Sequence, residues 1–241
     1  MSSDTPANRP SNARALADLP EPQAILFDLD GTLVDTVHLR IEAWREVLAR
    51  IGVTVDPESL AGYIGSDGRR LAREVAREAG RDLDYAATDE ADRLSGSIFD
   101  ELNSSPDPLP GATELLTALE ESHLTFAIAT SSLPGQVSAS VRALRLPAPP
   151  PITDGSHVAH AKPEPDLLLA SAAQLGVAPE RCWYVGDSTW DMMASVRAKM
   201  IAFGVTTGAV DADELVAAGA AVAVGSLTQL LDELRVRGLV R

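Results

Sequence analysis

The chain of 241 residues is poor in several things at once, and each shortage excludes something. It has a single cysteine, Cys182, so no disulfide can form within the chain, which fits a reducing compartment. No apolar run reaches the length of a membrane span, and the first twenty residues, MSSDTPANRPSNARALADLP, lack the apolar segment of a secretory signal. They read as a loose polar tail, and the expected location is the cytoplasm. Positive charge is scarce as well: 20 Lys and Arg against 35 Asp and Glu give a formal net charge of -15. Such a chain repels nucleic acid phosphates and anionic membranes, so any anion must be bound at a few chosen residues. No internal repeat is visible.

What is present is a globular composition, with 45% apolar and 23% charged residues. Ala24 to Phe27 is an apolar run too short for a helix and reads as a fully buried strand. From Val37 the apolar positions Val37, Ile41, Trp44, Leu48 and Ile51 recur at helical spacing, ending near Gly52. Further stripes at Leu71, Val75 and Ala79, and at Leu94, Ile98 and Leu102, predict an all-helical module that closes at the Pro-rich NSSPDPLPG.

Beyond it strands and helices alternate. Strands are expected at Thr125–Thr130, Cys182–Val185, Met200–Phe203 and Ala220–Val224, and the PAPPP run at 147–151 leads into another. Helices are expected at Pro134–Leu144, Pro165–Leu175 and Thr189–Ala198. This rhythm predicts an α/β fold: a Rossmann-like parallel sheet core flanked by helices (residues 21–35 and 109–241) with an inserted all-helical cap (36–108) behind the tail (1–20).

Ligands bind beyond the carboxyl ends of the strands of such a sheet. Polar residues gather there: Asp28 and Asp30 after the first strand, Thr130 and Ser131 after the second, Asp187 after CWYVG, with Lys162 in the AKPEP turn within reach. Converging carboxylates repel one another unless a cation joins them, and hard oxygen ligands favour Mg²⁺. A Thr hydroxyl, a backbone amide at Ser131 and a lysine ammonium together receive phosphoryl oxygens. One aspartate can attack phosphorus and the other can shuttle the proton. Gly31 lets the chain turn tightly around the transferring group.

Taken singly these residues have plainer readings. Asp-Gly is a common turn, Thr130, Ser131, Asp187 and Ser188 are all helix-capping types, and a lone lysine is usually solvated. The histidines His38, His123, His157 and His160 show no ligand spacing and are expected in structural or surface roles.

DLDGT (28–32), AT (129–130), AKP (161–163) and GDSTWD (186–191), in this order, resemble the four motifs of the haloacid dehalogenase superfamily. The resemblance implies Asp28 as nucleophile and Mg²⁺ ligand, and Asp30 as general acid/base and ligand through its backbone carbonyl. It further implies Thr130 and Lys162 as phosphate holders, Asp187 as a metal ligand and Asp191 as an auxiliary acid. Dehalogenating members typically lack the second aspartate, so Asp30 speaks for phosphate chemistry. The insertion resembles the helical cap of the phosphoglycolate phosphatase and β-phosphoglucomutase group, where cap loops choose the substrate, and YIGSDGRRLAREV offers Ser66, Arg69 and Arg70 for that purpose. Arg40 stands where the mutase usually has a histidine. Ala161, Ser195 and Lys199 stand where relatives often have glycine.

The expectation is therefore a Mg²⁺-dependent phosphatase for a small soluble phosphomonoester, a sugar phosphate or a phosphoglycolate-like acid. It would act as a monomer or homodimer without nucleic acid or membrane partners. A phosphomutase is the alternative, and a non-catalytic phospho-receiver or binding-only module is the rival from another class.

Overall fold

The computed structural model describes residues 16–241. Six parallel strands, β1 Ala24–Phe27, β2 Thr125–Ala129, β3 Ile152–Thr153, β4 Cys182–Gly186, β5 Ile201–Val205 and β6 Val222–Val224, form one sheet in the order β3-β2-β1-β4-β5-β6. The order reverses beside β1, so the crevice between β1 and β4 is where a ligand site is expected in this kind of sheet. Phe27 is in register with Ile128 on one side and Val185 on the other, which brings the polar residues after three strands to one edge.

β1 is buried on both faces because its side chains alternate. Ile25 and Phe27 pack with Leu115, Leu119, Val185, Leu230 and Leu234; Ala24 and Leu26 pack with Leu168, Ala172, Tyr184 and Ala194 on the other side. Helices α5 Ala112–Glu121 and α10 Leu227–Val236 cover the first face, and α7 Asp166–Leu175 and α8 Thr189–Arg197 the second. Burial of each large apolar side chain contributes about 1.5–3 kcal/mol, which is why so short a strand can sit at the centre.

Between β1 and β2 lie α1 Val37–Arg50, α2 Pro57–Ala61, α3 Gly68–Glu78 and α4 Tyr85–Leu102, all helical and joined by a separate apolar cluster of Trp44, Val47, Leu48, Leu60, Leu71 and Val75. Asp67 and Asp84 cap α3 and α4 by accepting from the amides of Arg70 and Ala87. The buried stripe of α4 is Ala91, Ser95 and Phe99, one position on from the expected Leu94, Ile98 and Leu102, and Ala79 is exposed. The small Ala91 and Ser95 let α4 approach its neighbours closely, while Leu94 and Ile98 flank the contact half-buried.

α6 Pro134–Ala143 and α9 Ala212–Ala217 complete the helices. Lys199 has φ of 60°, the left-handed region that glycine enters most easily.

The expected tail of residues 1–20 requires a correction over its second part. Residues 1–15 lie outside the described residues, but Leu16 and Leu19 are buried in the core, and a short 3-10 turn spans Leu16–Asp18. The carbonyl of Pro20 accepts from Trp183 Nε1 at 3.1 Å, and the Arg237 guanidinium donates to the carbonyls of Leu16 and Leu19. Two leucines three apart suffice to dock a segment whose average composition is polar.

Candidate active site

The centre of the site is a buried lysine. Lys162 precedes α7, in a turn whose Lys162–Pro163 peptide is cis, and its ammonium is 1% exposed. It donates to Asp28 Oδ1 at 2.8 Å and Asp191 Oδ1 at 2.6 Å, and lies 3.2 Å from the Tyr184 hydroxyl. That hydroxyl donates in turn to the carbonyl of Ala129 at 2.9 Å. Burial alone would lower the pKa of Lys162, but Asp191 and Asp28 outweigh it and hold the ammonium charged.

Asp28 leaves the end of β1 with its amide bonded to the carbonyl of Val185 at 2.9 Å. Its carboxyl is pushed up to about 7: burial is the main cause, Lys162 opposes it and Asp191 adds to it. Asp187 follows β4 and accepts from Thr32 Oγ1 at 2.6 Å. Its pKa too is raised well above the usual range, by burial first and then by Asp191 and Asp28. Asp191, on α8, accepts from the amide and hydroxyl of Ser188 at 3.0 and 2.6 Å. The N-cap of α8 is thus Ser188, which leaves Asp187 free for the crevice.

Asp30 points elsewhere. Its carboxylate accepts from Thr36 Oγ1 at 2.8 Å, from Arg40 at 3.0 Å and from Ser132 Oγ. Burial would raise its pKa, but the Arg40 guanidinium and the Ser132 and Thr36 hydroxyls hold it below the ordinary value. Arg40 belongs to α1, lies over the ring of Phe99 at 3.4 Å, and also donates to Ser132 Oγ at 2.6 Å. It therefore ties the helical module to the sheet. Trp190 makes a second tie, donating from Nε1 to the carbonyl of Gly62 at 2.9 Å while Arg70 stacks on its ring at 4.6 Å.

Thr130 is 1% exposed, with its hydroxyl accepting from the amide of Ser132 at 3.2 Å. Ser131 Oγ is buried without a hydrogen-bond partner among the described residues. Both line a cavity of about 720 Å³ between sheet and helical module, together with Asp28, Asp30, Arg40 and Lys162. Arg69 lines it too, but its guanidinium lies 3.6 Å from both Asp67 and Asp89 and 3.4 Å from the Tyr85 hydroxyl. The four histidines are all exposed.

Asp28, Asp187 and Asp191 each place one carboxylate oxygen within 4.8 Å of the others. Around them, glycines keep space open: a Cβ on Gly31, whose φ is 81°, would come within 2.4 Å of Asp187 Oδ2, and one on Gly208 within 1.9 Å. Three buried carboxylates beside one lysine carry excess negative charge. The donor set thus suits a hard divalent cation. The oxygens of Asp191 are already taken by Lys162 and Ser188, which makes it the support of Lys162 and leaves Asp28 and Asp187 as the side chains open to a metal.

Among the residues to which sequence reasoning assigned no role beside the carboxylates, Arg40, Ser132, Thr36 and Tyr184 matter most. Thr36 and Arg40 are four apart at the start of an amphipathic helix, so they share a face, and that spacing was a readable sign. Nothing in the sequence places Ser132 against Asp30, 102 positions away.

The family model of haloacid dehalogenase-like hydrolases matches residues 25–205, from β1 to the end of β5, and takes in Asp28, Thr130, Lys162, Asp187 and Asp191. The chain belongs to this family. It is 30% identical to the fructose-1-phosphate phosphatase YqaB of Escherichia coli over 75% of this chain and 95% of that protein. It is 27% identical to the β-phosphoglucomutase of Bacillus subtilis, over 77% and 84% of the two chains. A hydrolase from Pseudomonas syringae has the same fold, with a TM-score of 0.83, 31% identity, and 88% and 97% of the two chains covered. No described helix of this hydrolase is long and apolar enough to cross a membrane.

Proposed function

We propose that this hydrolase is a Mg²⁺-dependent phosphatase acting on a small soluble phosphomonoester, with residues 36–108 as a cap over a catalytic core formed by 21–35 and 109–241. The observation that carries the reading is the convergence of three distant segments on Lys162: Asp28 and Asp191 on its ammonium, with Asp187, beside Asp191, and the Thr130–Ser131 loop around them. Relatives named as phosphatases of fructose 1-phosphate, hexitol phosphates and phosphoglycolate support the reaction class. A cytoplasmic monomer or homodimer fits this reading.

Asp28 attacks phosphorus through a carboxylate oxygen as the ester P–O bond breaks, giving an aspartyl phosphate. The Thr130 hydroxyl, the Ser131 hydroxyl and amide, and the Lys162 ammonium hold the phosphoryl oxygens, and the orphaned Ser131 Oγ has a donor to spare for one of them. Asp30 takes up a proton from solvent when its pairing with Arg40 is broken and gives it to the leaving alkoxide. As a carboxylate it then takes a proton from water, whose oxygen displaces Asp28 from phosphorus and releases inorganic phosphate. Asp28, the Asp30 carbonyl and Asp187 would hold Mg²⁺, which neutralises charge on the phosphoryl group when bound.

Asp30 is held ionised by Arg40, which is the form that accepts a proton from water. Because Arg40 sits on the cap, movement of the cap changes the proton affinity of Asp30.

The test is inorganic phosphate release from a panel of phosphomonoesters, with Mg²⁺ and with chelator, for the wild type beside Asp28→Asn. Chelator-sensitive release that disappears in the variant is expected. Undiminished release by Asp28→Asn refutes the mechanism, and isomer formation without net phosphate release favours a phosphomutase.

A further inference from the structure

Resting on the phosphatase reading, we infer that Asp92 selects the substrate: its carboxylate receives hydroxyls of an uncharged, polyhydroxylated leaving group and rejects any compound carrying a second anion. The cavity extends from the phosphate-holding residues into the cap, and its volume of about 720 Å³ accommodates a sugar-sized group. What decides its chemistry is the state of its charges.

Three arginines line the cavity, and each is already engaged. Arg40 is paired with Asp30, Arg69 lies between Asp67 and Asp89, and Arg93 makes two 2.7 Å hydrogen bonds to Glu90. Lys162 is held at the phosphate end by two carboxylates. No lining cation is left over to receive a second phosphate or a carboxylate. The cavity does hold an uncommitted acid: Asp92, on α4, is half-buried and makes no hydrogen bond or ion pair with any described residue. Burial, followed by the nearby Asp67, raises its pKa, and Arg69 and Arg40 offset this only in part. Gly68 gives it room, since a Cβ there would fall 1.8 Å from Asp92 Oδ1. Asp100 adds a further carboxylate at the exposed rim.

A half-buried carboxylate facing the cavity without a protein donor is satisfied by the hydroxyls of a sugar or alditol, and a site built to bond a hydroxyl discriminates against compounds that leave it unpaired. An incoming anion would meet the Asp92 carboxylate where the nearest cations, Arg69 and Arg40, already face other acids of the chain. A sugar phosphate is therefore preferred over a phosphoglycolate-like acid.

Matched pairs provide the test: glucose 6-phosphate against 6-phosphogluconate, and fructose 1-phosphate against fructose 1,6-bisphosphate, with 2-phosphoglycolate alongside. The wild type is expected to favour the singly charged-group member of each pair in kcat/KM by at least about tenfold. Asp92→Asn, nearly isosteric, should shrink that ratio by about tenfold, and Asp92→Lys should shrink it further, with circular dichroism verifying that both are folded. Wild-type preference for the second-anion compounds, or a ratio unchanged in both folded variants, overturns the inference. If that wild-type activity on second-anion compounds is lost in Asp28→Asn, the phosphatase reading stands and only the selectivity is wrong. No phosphate release from any compound removes both.

Discussion

Stripped of divalent cations, the protein loses stability as the pH rises from about 4 to about 7, the reverse of the usual behaviour of paired surface carboxylates. The cause is Asp28, whose carboxyl moves from 3.8 to about 7 on folding because burial outweighs the help of Lys162. Between those values the folded state holds a proton that the unfolded state has released, so raising the pH favours unfolding. At 1.36 kcal/mol per pH unit the displacement is worth about 4 kcal/mol, or about 10 °C in Tm for a chain of this size. Asp187 acts in the same direction. Below about pH 4 the sign reverses, because carboxyls held low, Asp30 and Asp154 among them, become protonated. Thermal melts in chelator between pH 4 and 8 give the slope, and Asp28→Asn supplies the control, since it removes one of the two raised carboxyls, and its repulsion of Asp187, while keeping the shape. Mg²⁺ should raise Tm most at the alkaline end, where the carboxylates are ionised and repel one another. A Tm in chelator that climbs between pH 5 and 7, or a slope unchanged in Asp28→Asn, refutes the reasoning.

Two further predictions concern the surroundings of the carboxylates. Arg40→Ala leaves Asp30 buried without its cation and removes the tie to Ser132, so urea denaturation should show a loss of about 3 kcal/mol, with KM rising as the helical module loosens from the sheet; a loss below about 0.5 kcal/mol would show the pair to be inconsequential. Gly31→Ala puts a Cβ against Asp187 Oδ2 in a left-handed backbone position, so kcat should fall by about a hundredfold and Mg²⁺ should no longer raise Tm, and a variant with near wild-type kcat would contradict the geometry.

Much of the fold is written locally. β1 is an unbroken apolar run, α1 keeps its 3–4 spacing for 14 residues, and strands alternate with helices after residue 124; hydrophobic period alone suffices for these. The polar residues that meet at the strand ends were equally readable as a group, because aspartates, a threonine and a lysine at strand ends and turns have few structural reasons to be there together. What misled was averaging: the first twenty residues as a whole looked polar, yet Leu16 and Leu19 dock the end of that stretch, and the buried stripe of α4 runs along its small residues and not its leucines.

By itself, the sequence determined the parallel α/β core, the helical insertion and the identity of the groups that meet at the strand ends, since each follows from short-range pattern. Only the tertiary structure decided which of those groups are committed. Whether Asp191 faces a metal or braces Lys162, whether Arg69 is offered to a ligand or held by Asp67 and Asp89, and whether Asp92 stands alone are questions of distance between segments far apart in the chain. The energy of a charge depends on its burial and on the partner within a few ångströms, and neither is encoded at the position of the residue itself.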